Sequence, residues 1–260
     1  MKIARFETKG KIRYGSVENG IIDMIEGDIF GSHTLTGIKY DIKGVSLLAP
    51  VAPPNIIAIG LNYRKHAAES SMKPPERPVI FVKTTNSIIG PADNIRIPEI
   101  APGEVDYEAE LTIVIGKTAK NISEQDAAEY ILGYTCGNDV SARDCQLKLD
   151  AQWARGKSFD TFCPIGPYIV TDIPDPDSLS IKSRLNGKTV QESNTSDMIF
   201  PVRHLVSFCS KNMTLYPGTI IMTGTPEGVG FARKPPLFMK SGDTIEIEIE
   251  KIGILMNKVL

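Results

Sequence analysis

Apolar and polar residues alternate with a period of two through much of this chain, the signature of half-buried strands rather than helices. Near the N-terminus the β-leaning runs are Ile3 to Phe6, Tyr14 to Val17 and Ile21 to Met24, separated by Gly10, Asn19-Gly20 and Glu26-Gly27. Pro50-Val-Ala-Pro53-Pro54 then forms a stiff junction, because proline fixes φ and withholds the N–H that a ladder needs. This predicts a small N-terminal β module over residues 1–52 that leans on a larger domain over 53–260. In the larger domain Ile56 to Ile59, Val79 to Val82, Glu108 to Ile115, Tyr168 to Val170, Thr219 to Met222 and Thr244 to Ile249 read as strands. A helix is expected from Glu124 to Ile131, capped by Ser123, with acidic residues in its first turn. A shorter one is expected around His66 to Ser71, ended by Pro74, Pro75 and Pro78. Strands outnumber helices and do not alternate with them. A β-rich, mostly antiparallel α+β fold is therefore expected in place of a doubly wound sheet.

Composition adds mainly exclusions. The 260 residues are 42% hydrophobic and 23% charged with a net charge of −2, which is ordinary for a globular chain. Without basic runs there is no reason to expect nucleic acid or an anionic membrane as a partner. No apolar stretch approaches the roughly 20 residues that span a bilayer. Met1-Lys-Ile-Ala-Arg-Phe-Glu lacks the cationic-then-apolar layout of a signal peptide, so the cytoplasm is the expected location. Cys136, Cys145, Cys163 and Cys209 form no CxxC pair, and His33, His66 and His204 are the only histidines. A Cys/His zinc site has little material, the thiols read as buried and free, and any metal should be held by oxygen.

Glu108 and Glu110 fall on one face of a strand, roughly 7 Å apart, because two residues rise about 3.3–3.4 Å each. Ala109, Leu111, Ile113 and Ile115 line the other face, and the charged face itself turns apolar at Val114. Two part-buried carboxylates repel each other unless a cation neutralises them, and a hard divalent ion such as Mg²⁺, Mn²⁺ or Ca²⁺ takes oxygen ligands. Spacing alone also allows a solvated sheet face, as in Glu246-Ile-Glu248-Ile-Glu250. Asp139, at the end of an apolar stretch, reads either as a third ligand or as a helix cap.

Seven segments, taken in order, carry a resemblance. They are Gly60-Leu-Asn-Tyr63-x-x-His66-x-x-Glu69, Pro78-x-x-Phe81-Val-Lys83, Asp106-Tyr-Glu108-Ala-Glu110-Leu111, and Asn138-Asp139-Val-Ser-Ala-Arg143-Asp144. Gly156-Lys157-Ser-Phe-Asp-Thr161-Phe-Cys-Pro-Ile-Gly166, Asn194-Thr-Ser-Asp197-Met and Thr223-Gly-Thr225-Pro-Glu-Gly228-Val-Gly230 complete the set. Together they resemble the fumarylacetoacetate hydrolase family, in its shorter branch of acylpyruvases, oxaloacetate decarboxylases and homoprotocatechuate-pathway isomerase/decarboxylases. The resemblance covers about residue 53 to the C-terminus. It implies a mixed β-roll core, a homodimer, and a metal, Mg²⁺ or Mn²⁺, held by Glu108, Glu110 and Asp139.

The same resemblance implies roles for other residues. His66 and Glu69, three apart and able to meet on one helical face, match the family's water-activating dyad. A bare His-x-x-Glu would otherwise read as a surface pair. Lys157 matches the catalytic lysine, which adds positive charge where an enolate develops. Arg143 and Gln146 are expected to orient the substrate carboxylate or distal carbonyl, and Thr225 to contact the oxo-acid head. Tyr63 and Lys83 either line the pocket or support it from outside. The expected function is hydrolysis or decarboxylation of a small 2-oxo acid, an acylpyruvate or a β-oxo dicarboxylate. The alternatives are isomerisation or decarboxylation of an unsaturated 2-oxo dicarboxylate, and a non-catalytic metal-stabilised binding domain.

Overall fold

The strand Ala109–Ile115 runs through the middle of the molecule with every residue buried. Its alternation divides the core. Leu111, Ile113 and Ile115 join a cluster of 40 buried residues on one side, and Val114 joins a second cluster of 14 on the other. Each fully buried aliphatic side chain contributes about 1.5–3 kcal/mol relative to exposure, so this strand is fixed from both faces.

The computed structural model describes residues 1–260. Ala109–Ile115 pairs antiparallel with Ile131–Asn138 on one flank and with Ile220–Met222 on the other. Past Ile220–Met222 come Ile56–Gly60, joined in parallel, and Val79–Lys83 at the edge. Past Ile131–Asn138 comes Cys163–Val170, against which the N-terminal strand Lys2–Thr8 pairs antiparallel. Lys11–Glu18, Ile21–Gly27 and His33–Asp41 extend that side as a meander. A second, five-stranded sheet contains Lys188–Asn194, Ser180–Leu185, Thr244–Ile249, Gly253–Val259 and the short Asn94–Ile95. Its Ile181, Ile247 and Leu255 share the larger core with Leu111 and Ile113. The fold is thus a β-rich α+β roll with a small N-terminal β module, mostly antiparallel, as the alternation implied. No helix is long and apolar enough to cross a membrane, and all four cysteines are buried and free.

Two elements differ from the sequence reading. The helix expected over 124–131 is only a single 3₁₀ turn, Ala127–Tyr130, because Ile131 is taken into the strand that pairs with Ile115. Ser123 does accept the Asp126 N–H at 3.2 Å, so the capping signal marks a turn instead of a helix. The longest helix, Val202–Asn212, was not predicted. It starts at Pro201 without a local side-chain cap, and the Val202 N–H is met instead by Asp177 Oδ1 at 2.9 Å, 25 residues away.

Gly137 sits opposite Glu110 in the central ladder, where a Cβ would lie 2.3 Å from Thr112 Oγ1 and 2.9 Å from Met222 Cε. Gly137→Ala should therefore lower unfolding stability by about 1–3 kcal/mol through overpacking. An unchanged urea midpoint for this variant would show that the ladder has slack there.

Candidate metal and active site

Strand register brings the three acidic residues together. Ala109 pairs with Asn138 in the antiparallel ladder, so the next residue of each strand end, Glu108 and Asp139, emerge side by side. Two hydrogen bonds fix that junction: the Asp139 N–H donates to the Glu108 carbonyl at 2.9 Å, and the Glu108 N–H donates to Asn138 Oδ1 at 3.0 Å. Glu110, two residues along, points the same way. One carboxylate oxygen from each of Glu108, Glu110 and Asp139 lies within 4.8 Å of the others, and all three residues are buried.

The cations are arranged unevenly around this cluster. Lys157 Nζ donates to Glu108 Oε2 and Asp139 Oδ2, each at 2.7 Å. Lys83 Nζ donates to Asp139 Oδ1 at 2.5 Å from the opposite side. Arg143 bridges Asp106 and Glu108, with Nε 2.8 Å from Asp106 Oδ2 and Nη2 2.7 Å from Glu108 Oε1. Burial alone would raise the Glu108 carboxyl, but Lys157 and Arg143 more than reverse this and hold it down at about 2. Lys157 is held above its usual value: burial lowers it, and Asp139 and Glu108 outweigh that effect.

Glu110 is the exception. Its one hydrogen bond comes from the Gly224 N–H at 2.8 Å, and no cation of the chain is paired with it. Burial, then Asp139 and Glu108, push its carboxyl well above the usual range. Counting Asp106, Glu108, Glu110 and Asp139 against Lys83, Arg143 and Lys157 leaves four carboxylates facing three cations. A buried, all-oxygen site one positive charge short is chemically suited to a hard divalent cation. Gly224 makes its contact because its φ is +95°, a conformation that directs its N–H at Glu110, and a Cβ there would lie 2.8 Å from Asn62 Cβ.

A cavity of about 180 Å³ opens onto the carboxylates. Glu108, Glu110, Lys157, Arg143, Gln146, Thr225 and His66 all line it. A larger surface groove of about 790 Å³, beside Met1 and Lys251, contains none of these residues. His66 lies in the short helix Arg64–Glu69, and its Nδ1 is 2.7 Å from Glu69 Oε1. Glu69 Oε2 in turn accepts the Gly228 N–H at 2.9 Å. The helix is moored to the Asn194–Met198 motif: Arg64 Nη1 donates to the Asp197 and Met198 carbonyls, and the Lys65 N–H donates to Asp197 Oδ2. Gln146 Oε1 accepts from Arg143 Nη1 at 2.8 Å, and Thr225 Oγ1 accepts from Gln191 Nε2 at 2.8 Å. The Thr225 hydroxyl proton is left free for a ligand.

Tyr63 and Lys83 lie behind the cavity wall and form no part of it. Tyr63 is fully buried with its hydroxyl unpartnered, and Lys83 is spent on Asp139 and the Val140 carbonyl. Several contributors were not singled out by residue type. Asp106 accepts from Tyr107, Gly230 and Phe231 N–H groups as well as from Arg143, tying the 228–231 turn to the carboxylate strand. Phe231 then stacks under the Arg143 guanidinium at 4.4 Å and meets the His66 ring edge-on at 6.5 Å. Asp106 and Asn138 stand inside recognisable motifs. Gln191, on a strand of the other sheet, carries no local signal.

Comparison with known proteins agrees with this architecture. Residues 55–260 match the fumarylacetoacetate (FAA) hydrolase C-terminal family, and residues 1–50 match the Rv2993c-like N-terminal family. The chain belongs to the fumarylacetoacetate hydrolase family, a family of enzymes. It is 54% identical over 233 residues to the fumarylacetoacetate hydrolase domain-containing protein 2 homolog of Dictyostelium discoideum, covering 85% of this chain and 76% of that one. It is 51% identical over 222 residues to the mitochondrial oxaloacetate tautomerase fahd2 of Xenopus laevis, covering 84% and 69%. Among solved structures, 5-carboxymethyl-2-hydroxymuconate delta-isomerase from Mycobacterium smegmatis superposes with a TM-score of 0.90 at 43% identity, covering 100% and 99%.

The Lys83–Asp139 pair has no exposed side-chain surface. Lys83→Met removes one of two cations from a buried carboxylate and should destabilise the fold by about 3 kcal/mol, at the lower end for a broken buried pair because Lys157 remains. Chemical denaturation measures this, and a cost under about 1 kcal/mol would mean that Lys157 alone neutralises Asp139.

Proposed function

We propose that the chain is a divalent-metal-dependent enzyme acting on a small 2-oxo acid through its enolate, with Glu108, Glu110 and Asp139 as the metal ligands. One observation carries this reading: three buried carboxylates converge within 4.8 Å, one lacks a cation, and the cluster opens onto a cavity that also holds an imidazole. The all-oxygen ligand set favours Mg²⁺ or Mn²⁺, with Ca²⁺ compatible. Bound there, such an ion supplies Lewis-acid charge to the adjacent oxygens of a 2-oxo carboxylate.

The remaining chemistry belongs to the chain. Glu69 engages His66 Nδ1, which fixes the tautomer and leaves Nε2 as the nitrogen free to take a proton. Gly228 holds Glu69 in place for this task. Lys157 and Arg143, on either side of Glu108, stabilise negative charge as it grows on the substrate. Gln146 and Thr225 orient the oxo-acid head through their remaining hydrogen-bonding capacity. Lys83 and Tyr63 act as supports, Lys83 by setting the position of Asp139. By family reasoning the working unit is a homodimer.

Proton transfer between keto and enol forms is the reading we favour first, because relatives at about half identity are named as tautomerases and a structural neighbour as an isomerase. Hydrolysis of an acylpyruvate or decarboxylation of a β-oxo dicarboxylate is the second reading. It is supported by the His66–Glu69 pair, which can equally deprotonate water. A purely structural metal site would have no use for a cavity beside the carboxylates.

The test is a panel of oxaloacetate enol, acylpyruvates and unsaturated 2-oxo dicarboxylates, assayed after chelation and after restoring Mg²⁺ or Mn²⁺. Activity should vanish with chelator and return with metal. His66→Ala should lower kcat by about 10²–10⁴-fold while metal affinity, read by calorimetry, stays within threefold. Full turnover in chelator would overturn the metal assignment, and an unaffected His66→Ala variant would remove the imidazole from the mechanism.

A further inference from the structure

Beyond the charged floor, the cavity has an outer part with a different chemistry. Trp153, the only tryptophan of the chain, lines it together with Leu147 and Met72, and the buried Ile59 and Phe81 lead inward from there, the Phe81 ring lying 5.3 Å from the Lys157 ammonium. Trp153 stands immediately before the single helical turn Ala154–Lys157, so the indole and the Lys157 ammonium are held by one rigid piece of backbone. Gly156 presses that turn onto the Arg143–Gln146 segment, since a Cβ there would lie 2.8 Å from the Gln146 nitrogen. The indole meets the Phe81 ring edge-on at 5.7 Å. It also fills the space left by Gly60, where a Cβ would lie only 2.4 Å from Trp153 Cζ3.

Two features of this outer part point to a ligand. Leu147 is 50% exposed and Met72 48% exposed, so large apolar side chains stand in water at the cavity rim. The cations that reach the cavity, Arg143 and Lys157, are paired with carboxylates at its floor, and no other lysine or arginine lines it. Apolar surface without free charge suits the uncharged carbons of a substrate tail.

We infer that Trp153, with Leu147 and Met72, forms an apolar collar that selects substrates by the uncharged tail beyond the 2-oxo acid head, making Trp153 a specificity-determining residue. This rests on the 2-oxo acid reading above and, within it, favours acylpyruvate-type acids with uncharged tails over the dicarboxylates. The head binds over the carboxylates, and each tail methylene laid against the collar leaves water, worth roughly a fourfold gain in affinity.

The experiment uses the Mg²⁺-loaded protein with oxalate, which has a head and no tail, and with 2-oxobutanoate, 2-oxohexanoate and 2-oxooctanoate. Binding is followed by calorimetry and by the emission of the single tryptophan. Affinity should climb along the tailed series, and 2-oxooctanoate should shift Trp153 emission while oxalate leaves it in place. Trp153→Ala should weaken 2-oxooctanoate tenfold or more and oxalate less than threefold, with Trp153→Phe intermediate. If Trp153→Ala does not fold, the wild-type emission and the Trp153→Phe series decide the matter alone. Equal losses for oxalate and 2-oxooctanoate, or tailed ligands that bind without moving the emission, would overturn the collar and leave the 2-oxo acid reading intact. Failure of oxalate and every 2-oxo acid to bind would overturn both.

Discussion

The site depends on one backbone constraint, the antiparallel register that pairs Ala109 with Asn138. That register makes Glu108 and Asp139 neighbours at the same end of two adjacent strands, and the hydrogen bonds between them leave little room for sliding. A shift of one residue would turn Glu110 toward the apolar core and Leu111 toward the carboxylates, because side chains alternate. The two core clusters on either face of Ala109–Ile115 resist such a slip with many buried aliphatic contacts. Packing far from the chemistry therefore holds the chemistry in place.

The charges are tolerated in the interior because they form a chain. Asp106 holds Arg143, Arg143 faces Glu108, Lys157 joins Glu108 to Asp139, and Lys83 closes the line behind Asp139. Each link offsets the desolvation of the next, and the incomplete link is Glu110. Tyr63, fully buried near Glu110, adds no hydrogen bond, and its own hydroxyl is pushed well above its usual value by burial and then by Glu110. The imbalance is local and faces the cavity, which is where a site for a charged ligand has to be.

Much of this was legible in the chain, for physical reasons that differ between elements. Ile56–Gly60 and Thr244–Ile249 were readable because their apolar patterns are strong and local. His66 and Glu69 were readable as a pair because helical spacing brings residues three apart together. The approach of Asp139 to Glu108 and Glu110 was not, since nothing in one sequence specifies ladder register; only the resemblance suggested it. Lys83 stands in a legible motif, but its position behind Asp139 depends on the edge strand that carries it. The helix Val202–Asn212 carries no local start signal because its cap, Asp177, is remote, and the signals over 124–131 yield only a turn because local propensity loses to the neighbouring ladder.

The floor of the cavity is built from strand ends locked into a sheet, whereas its rim comes from short connecting segments around residues 72, 147 and 153. These two parts answer to different pressures. Substitutions at residues 72 and 147, which are about half exposed, can accumulate without disturbing the ladder below, whereas Trp153 is packed against Gly60 and Phe81 of the sheet, so new selectivities can be explored at small cost to folding. A fold divided in this way is readily diversified by duplication, with descendants keeping one reactive centre while trading one substrate for another.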